Sequence, residues 1–531
     1  LVVHDGELRP FAQEAPDRVL ELEEWGALFD RTKDGLILQR DFGGHRYARL
    51  AHVADRTGLE MIRTLQQHAV HRGIDVFMET TMYRLLKEDG RVSGVIGYDR
   101  QSGALLLFHA KAIVLATGGV GRAWKITSNS WEYTGDGFAM ALDAGADLMD
   151  LEMTQFHPTG MVWPTSVRGL LVTEGVRGDG GTLKNSDGKR FMFNYIPDFF
   201  RAETADTEAE ADRWYDDKRN NRRTPDLLPR DEVARAINAE VKAGRGSPHG
   251  GVYLDIASRR SADYITRRLP SMYHQFMQLA GVDITKTAME VGPTLHYIMG
   301  GVRVDPDSTQ STVPGLFAAG EVAAGMHGAN RLGGNSLSDL LVFGRRAGLY
   351  AAEYAKRLAR MPALDEGDVD RLASEVVGPL ERREGENTYA LHAELTETMY
   401  ELVGIIRTKA ELEQAIVRID ALRARAERAA VSGGRTYNPS WHLAIDLRTM
   451  LRVAEAVTRS ALMREESRGG HTRDDFPKPD PEWGKQNVVT RLRDGALDLR
   501  TEPIPIVPEE LQVLLGEDKP TEAVAVGAGV E

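Results

Sequence analysis

The sequence of 531 residues predicts an α/β fold that gives way to a helical bundle, and three observations carry that reading. A helix-period segment at 55–72 is followed by strand-like runs, so helix and buried strand alternate as they do in an α/β sheet. The run Ala112-Ile113-Val114-Leu115-Ala116 is continuously apolar and ends in Thr117-Gly118-Gly119. A strand buried on both faces reads this way where it meets a ligand-binding turn. From Asp368 to about Arg468 the apolar spacing becomes helical throughout.

Taken in order, Asp55-Arg56-Thr57-Gly58 opens a capped amphipathic helix whose apolar side is Leu59, Ile62, Leu65 and Ala69. Asp75-Val76-Phe77-Met78 reads as a strand, and a hairpin is expected across Lys87–Gly94. Between Arg201 and Arg223, seven acids and six bases occupy 23 positions. That composition reads as a solvated surface insertion, with a partner-docking element as the alternative. In the helical stretch Leu391, Leu395, Met399 and Leu402 share one face, and Leu412, Ile416, Ile419 and Leu422 share another. Short loops at Gly385 and Gly433-Gly434 make this an antiparallel bundle whose stripes are core. The Pro-rich segment from Phe476 to Pro508 suits a small irregular cap, and the tail Ala523–Glu531 reads as loose.

Composition narrows the function. With 42% hydrophobic and 27% charged residues, the chain is neither disordered nor fibrous, and its length suggests about three or four domains. Lys+Arg 66 against Asp+Glu 79 leaves a net charge of −13, which disfavours a nucleic-acid partner. An anionic ligand would need a local Arg/His cluster working against that field. Cysteine is absent, which excludes disulfides, thiolate zinc sites, cysteine nucleophiles and a self-supplied iron–sulfur cluster. No run of about eighteen apolar residues predicts a membrane-spanning helix. The chain opens on Leu1, and Leu1-Val2-Val3-His4-Asp5-Gly6 reads as the middle of a longer sequence whose start is expected upstream. Its 53 glycines exceed the average share of about 7% and point to tight turns and close backbone approach to a ligand.

Five clusters combine such turns with His, Arg and carboxylates. The first is Thr117-Gly118-Gly119-Val120-Gly121 with Thr134-Gly135-Asp136-Gly137. The second is Gln155-Phe156-His157-Pro158-Thr159-Gly160, followed by Leu171-Val172-Thr173-Glu174-Gly175. The third is Pro229-Arg230-Asp231-Glu232-Val233-Ala234-Arg235, and the fourth His296-Tyr297-Ile298-Met299-Gly300-Gly301. The fifth runs from Pro314 through Gly320-Glu321 to His327-Gly328-Ala329-Asn330-Arg331-Leu332-Gly333-Gly334-Asn335-Ser336-Leu337. There a short buried strand ends at a carboxylate able to bind ribose or ribityl hydroxyls. Asn335-Ser336-Leu337 then opens a helix whose N-terminal amides can face an anion or an electron-rich ring. Singly, each cluster has an ordinary structural reading, such as acids on a helix N-terminus. Five in one chain do not.

These motifs resemble those of the flavoprotein subunits of succinate dehydrogenase and fumarate reductase, within the FAD-dependent dicarboxylate oxidoreductases that also include L-aspartate oxidase. The resemblance runs from Gln39-Arg40-Asp41-Phe42-Gly43-Gly44 to Glu466-Ser467-Arg468-Gly469-Gly470-His471, with residues 327–337 its most specific stretch. It implies a two-dinucleotide-type FAD-binding domain in two parts (1–152 and 296–346), an α+β capping domain (153–295), a helical domain (347–470) and a C-terminal domain (471–531). It implies FAD contacts from Thr117, Gly118, Gly119, Asp136, Glu321, Asn335, Ser336 and Leu337. Substrate carboxylates are expected on His157, Thr173, His296 and Arg331, with Phe42 as an apolar wall, Glu174 beside them and Arg230 moving the proton. No metal ligands are assigned. The first βαβ unit, with its G-x-G-x-x-G turn, and the histidine that carries FAD covalently are expected upstream of Leu1. Gly118-Gly119-Val120-Gly121 is the wrong motif to replace that turn.

The residue types suit this chemistry. Burying the two carboxylates of succinate without partners would cost several kcal/mol each, and a guanidinium with two imidazoles compensates. One C–H leaves as hydride and its neighbour as a proton. Because free guanidinium has a pKa above about 12, Arg230 is expected to work in a relay with Glu174 or Asp231. Within the family, Arg40-Asp41-Phe42-Gly43-Gly44-His45, Met299-Gly300-Gly301 and Leu332-Gly333-Gly334 depart from the oxidase pattern and point to succinate or fumarate. L-Aspartate oxidase is the enzymatic alternative, and a flavin-free binding or assembly module the non-enzymatic one. Without cysteine, electrons must leave to O₂, a soluble acceptor or a partner. The resemblance implies a membrane anchor with a quinone site, joined through an iron–sulfur subunit. It hence implies a peripheral position on the cytoplasmic face of the inner (cytoplasmic) membrane.

Overall fold

The computed structural model describes residues 5–40, 42–45 and 47–505. The chain opens with helix α1 (Asp5–Glu24), a short ladder of β1 (Gln39–Arg40) with β2 (Leu50–Ala51), and α2 (Thr57–His71). The helix expected at 55–72 is present, but Leu59, Ile62 and Leu65 face solvent while Met61 and Thr64 are buried. The segment 75–78 is not a strand. No described strand pairs with it, and backbone donors without a ladder do not make one. Phe77 packs edge-on against Phe108 instead.

The expected hairpin is β3 (Thr80–Glu88) with β4 (Arg91–Asp99). Asp89 and Gly90 turn it with φ of 49° and 80°, a two-residue turn whose twist matches its strands. After β5 (Leu105–His109) comes β6 (Ile113–Leu115), which ends at the Gly118 turn, and then α3 (Asp136–Asp143) and β7 (Leu148–Met149). Burial of β6 on both faces does not hold: Leu115 is 3% exposed but Val114 38%.

Next come β8 (Thr154–Met161), α4 (Gly175–Gly178), β9 (Thr182–Lys184), α5 (Glu208–Trp214), α6 (Arg230–Lys242), β10 (Val252–Asp255), α7 (Ala262–Arg268), α8 (Pro270–Ala280) and β11 (Met289–Ile298). An antiparallel sheet in the order β8-β11-β10-β9 packs on α6 through a core that includes Leu183, Val233, Ile237, Leu254 and Phe276. The charged segment 201–223 is not simply solvated. Ala205, Ala211 and Trp214 are buried, and Arg222 pairs with Asp206 and Glu210.

β12 (Gly301–Val302) leads to β13 (Leu316–Ala318), which is buried throughout and runs parallel to β6. The long helix α9 (Asn335–Arg357) follows. The bundle then forms from α10 (Glu366–Glu381), α11 (Thr388–Leu402), α12 (Lys409–Ala426) and α13 (Pro439–Met463). Asp365, Asn387, Thr408 and Asn438 cap these four helices with side-chain oxygens that accept first-turn N–H groups. Leu391, Leu395, Met399, Leu402, Leu412, Ile419 and Leu422 join one core with α3 and α13.

The C-terminal segment is not irregular. β14 (Gln486–Arg493) and β15 (Ala496–Pro503) form a hairpin in the sheet β12-β7-β14-β15. Its turn, Asp494-Gly495, again has both φ positive, at 50° and 80°. An Asp-Gly pair between alternating residues is the readable signal for it. The tail 523–531 lies outside the described residues, as does Asp41.

Candidate active site

A cavity of about 660 Å³ lies between β8 and β11, the Gly118 turn, the loop 42–45 and the start of α9. This is a size usual for small-molecule and cofactor sites. Of the expected residues, Phe42, His157, Thr173, Glu174, Arg230, His296 and Arg331 line it together with Gly118, Glu321, Ser336 and Leu337.

His157 on β8 and His296 on β11 stand edge to face, with ring centroids 5.3 Å apart. The His157 ring is held through Nδ1, which lies 3.1 Å from the Thr159 carbonyl and 3.2 Å from the Thr159 N–H. His296 Nδ1 lies 2.8 Å from Ser128 Oγ. Each ring thus has Nε2 left for a ligand. Burial first, then neighbouring guanidinium groups (Arg230 at His157, Arg331 at His296), hold both imidazoles well below their ordinary pKa. They are neutral at pH 7, able to hydrogen-bond a carboxylate without bringing a charge.

Two strand positions before His157, on the same face, Gln155 joins the two central arginines. Its Oε1 accepts from Arg230 Nη1 at 3.2 Å and from Arg331 Nη1 at 3.0 Å. Its amide is fixed by donation to Asn330 Oδ1 and the Arg331 carbonyl, at 2.8 and 2.7 Å. Sequence reasoning assigns Gln155 no role; the period-2 spacing from His157 is the signal that could have found it. Arg331 also donates to Ser336 Oγ at 3.0 Å and lies 4.4 Å over the Tyr297 ring. Burial, then Arg230, pushes its pKa down to about 10.

Arg230 is the first residue of α6, and its Nε donates to Glu174 Oε2 at 2.8 Å. The same oxygen lies 3.8 Å from Arg177 Nη2, and Glu174 Oε1 accepts the Gly43 N–H. Burial pushes the Glu174 carboxyl up, but Arg230 and Arg177 outweigh it and hold the group below its usual range. Asp231 turns away, bound to Asn330 at 2.6 Å and to Arg235 at 3.1 Å. Glu174, not Asp231, is therefore the carboxylate facing Arg230. Arg177, fully buried, is a second residue the sequence reading leaves out.

At the other end of the cavity, Glu321 accepts the Ile298 N–H at 3.1 Å, and burial pushes its carboxyl up to about 8. Four expected contacts are not in the cavity wall. A Cβ on Gly119 would collide with Glu321 Oε1, so Gly119 sits behind that carboxyl. Thr117 Oγ1 is buried without a partner. Asn335 Oδ1 accepts from Arg49 at 3.0 Å. Asp136, its carboxyl pushed up to about 6 by burial, accepts from Thr134 at 3.1 Å at the start of α3.

The FAD binding domain profile matches residues 8–337, and the fumarate reductase flavoprotein C-terminal profile matches residues 392–516. The succinate dehydrogenase flavoprotein subunit of Coxiella burnetii is 36% identical over 509 residues, covering 92% of this chain and 81% of that one. The chain belongs to the succinate dehydrogenase/fumarate reductase flavoprotein family. A fumarate reductase (CoM/CoB) polypeptide of Methanothermobacter marburgensis is 44% identical over 490 residues, covering 91% of this chain and 83% of the relative. Among solved structures of this flavoprotein family, Mycobacterium smegmatis Sdh1 in complex with UQ1 matches with a TM-score of 0.80 at 57% identity, over 95% of this chain and 83% of that one. An E. coli quinol fumarate reductase matches with a TM-score of 0.86 at 33% identity, over 95% and 85%.

The cofactor of this flavoprotein family is FAD, and the residues present fit it. Ser336 and Leu337, in the first turn of α9, line the cavity, and no side chain caps that helix end, so its positive dipole end faces the place of an electron-rich ring. Protonated Glu321 can exchange hydrogen bonds with sugar hydroxyls. Gly118, at φ 71°, keeps clear the space against Tyr133, whose ring carbon would lie 2.8 Å from a Cβ there.

Proposed function

We propose that this chain is the flavoprotein subunit of a succinate:quinone oxidoreductase that oxidises succinate to fumarate. The observation that carries the reading is the charge balance at the substrate end. Of three buried guanidinium groups there, Arg230 and Arg177 share one carboxylate, Glu174. Arg331 meets the neutral Gln155 and Ser336 side chains, and Glu321 stands at the other end of the cavity, kept protonated. Buried charge needs compensation, and a dianion supplies what the protein leaves out. L-Aspartate would add an ammonium to a site whose carboxylate is already held by Arg230 and Gly43.

In this reading Arg331, His157, His296 and Thr173 hold the two carboxylates, and Phe42 closes an apolar wall over the carbon chain. FAD, when bound against Gly118, Glu321, Ser336 and Leu337, with Thr117, Gly119 and Asn335 behind them, supplies the two-electron acceptor for the hydride. Arg230 accepts the proton from the neighbouring carbon while releasing one from Nε to Glu174, so its guanidinium never rests neutral. Arg177 stabilises the Glu174 carboxylate before that transfer. The domain division at 152, 295, 346 and 470 goes with this assignment.

The electrons leave through an iron–sulfur subunit to a membrane anchor with a quinone site, because this chain has no cysteine to hold a cluster. The likeness to Sdh1 with UQ1 supports the quinone. No described helix is long and apolar enough to cross a membrane, which suits a peripheral subunit on the cytoplasmic face. The M. marburgensis relative, named a CoM/CoB fumarate reductase, favours a second reading, fumarate reduction. Succinate-dependent reduction of an artificial acceptor tests the proposal. Turnover supports it, activity only from fumarate with a reduced donor moves it to the second reading, and peroxide from L-aspartate overturns it.

A further inference from the structure

The loop 42–45 brings Phe42 to the cavity and its Gly43 N–H to Glu174, and it is gripped from several sides. His45 Nε2 lies 2.6 Å from the Gly333 carbonyl, and His45 Nδ1 accepts from Arg49 at 3.0 Å. A Cβ on Gly43 would lie 3.0 Å from the Leu228 carbonyl, and one on Gly333 would lie 2.9 Å from the Phe42 ring. The loop has no room on its inner side. Its two outward carbonyls meet a single guanidinium: Arg223 donates from Nη1 to the His45 carbonyl at 2.6 Å and from Nη2 to the Phe42 carbonyl at 3.3 Å.

Arg223 is the last residue of the charged segment 201–223, and that segment is built to hold it still. Its N–H donates to the Glu203 carbonyl at 3.1 Å and its carbonyl accepts from Ala205 at 2.8 Å. The guanidinium lies 5.4 Å from the ring of buried Trp214. Thr207 caps α5, and Arg222 ties Asp206 to Glu210 on the outer side. A planar fork matches two carbonyl acceptors in a way a single ammonium does not.

We propose that Arg223 is a positioning residue: the charged segment is a strap, and Arg223 uses it to hold the loop 42–45, and so Phe42, closed over the bound dicarboxylate. This rests on the dicarboxylate reading above. Without the fork, the His45 carbonyl loses its donor and the Phe42 carbonyl keeps only the His45 N–H, the loop opens, and the apolar wall and the Gly43 contact to Glu174 loosen together. The strap acts on ligand retention before it acts on chemistry, so its loss shows first in KM.

The test compares the purified holoenzyme with Arg223→Ala, Arg223→Lys and, as a control in the same segment, Arg222→Ala. Arg223→Ala is expected to raise the succinate KM about tenfold while kcat falls less than about threefold, with the lysine variant between it and wild type. Arg222→Ala is expected to stay within about twofold of wild type, since its surface ion pairs contribute little. Hydrogen exchange at the His45 amide, which donates to the Phe42 carbonyl at 3.3 Å, should speed up in Arg223→Ala and not in Arg222→Ala. Equal KM changes in the two alanine variants, or unchanged KM and exchange in Arg223→Ala, would overturn the strap. If wild type turns over neither succinate nor fumarate, the dicarboxylate reading fails instead, and the exchange measurement still decides whether Arg223 holds the loop.

Discussion

Among the described residues, two clusters of buried arginines are balanced in opposite ways. At the junction of β7, β8 and the C-terminal segment, Arg407, Arg464 and Arg473 are all fully buried. Arg464 meets Asp150, Glu152 and Glu466, and Arg473 meets Asp475 at 2.7 Å. Arg407 donates to the Gly404 and Glu152 carbonyls and to Thr154. Every cation there has its acceptors within the protein. At the cavity, Arg177 and Arg230 share Glu174, while Arg331 meets only neutral oxygens and its Nε is buried with no partner. Both clusters bear the desolvation of guanidinium groups, but in the first carboxylates meet Arg464 and Arg473, and Arg407 has neutral acceptors for its N–H groups. A closed cluster holds the fold together, and an open one waits for an anion.

The largest expected effect breaks the open cluster's chemistry. Arg230→Lys keeps the charge but loses the fixed Nε–Glu174 contact of 2.8 Å, so kcat is expected to fall about 10³-fold, within the range of proton-transfer catalysis. Steady-state kinetics with succinate checks it, and near-full turnover would sink the relay. Breaking the closed cluster should act on stability alone. Arg464→Ala leaves Asp150, Glu152 and Glu466 without their shared cation and is expected to destabilise by about 3–5 kcal/mol, read by denaturant unfolding. Arg331→Met is the counterpart. It removes an uncompensated cation, so the ligand-free protein should be no less stable while dicarboxylate binding is lost.

A smaller effect follows from closing the open cluster artificially. Gln155→Glu puts a carboxylate between Arg230 and Arg331, where the amide oxygen now lies 3.2 and 3.0 Å from them. The variant also sets its second oxygen against Asn330 Oδ1 and the Arg331 carbonyl, where the amide now donates, so affinity is the readout: succinate should bind about 10–100-fold more weakly, since desolvated charge pairs of this kind carry a few kcal/mol. Unchanged affinity would contradict the balance argument.

The contrast also explains what is legible in the sequence. The open cluster is readable because its residues lie in short Gly- and Pro-marked runs, each with the side chains a dianion demands. The closed one is not, because Arg464 and Glu152 meet across a separation of 312 residues with no local pattern joining them. The bundle is legible from its stripes. On α2 the period is right, but the side it marks is solvent-exposed among the described residues. In the segment 201–223 a charge count shows how many ions there are, not that Arg223 turns inward to the Phe42 and His45 carbonyls. Gln155 is overlooked because it is neutral, and its importance comes only from the two cations it joins.

A pH-dependent effect is expected at Glu321, a carboxyl that the cavity keeps protonated rather than paired. Its folded pKa is raised to about 8, by burial first, whereas in the unfolded chain it is that of an ordinary Glu, about 4.3. Below the unfolded value both states are protonated and the stability this group allows is fully present. As pH rises from about 4.3 toward about 8, the unfolded chain loses a proton that the folded one keeps, so stability falls, by at most about 1.4 kcal/mol per pH unit. Above about 8 both states are ionised and the slope ends. Glu321→Gln, which keeps the shape and the acceptor for the Ile298 N–H, should remove this slope between pH 5 and about 8. Unfolding curves at several pH values for the ligand-free proteins measure the difference, and identical slopes would mean that Glu321 is ionised in the folded cavity. In that case the oxygen expected to donate to a sugar hydroxyl could only accept from it.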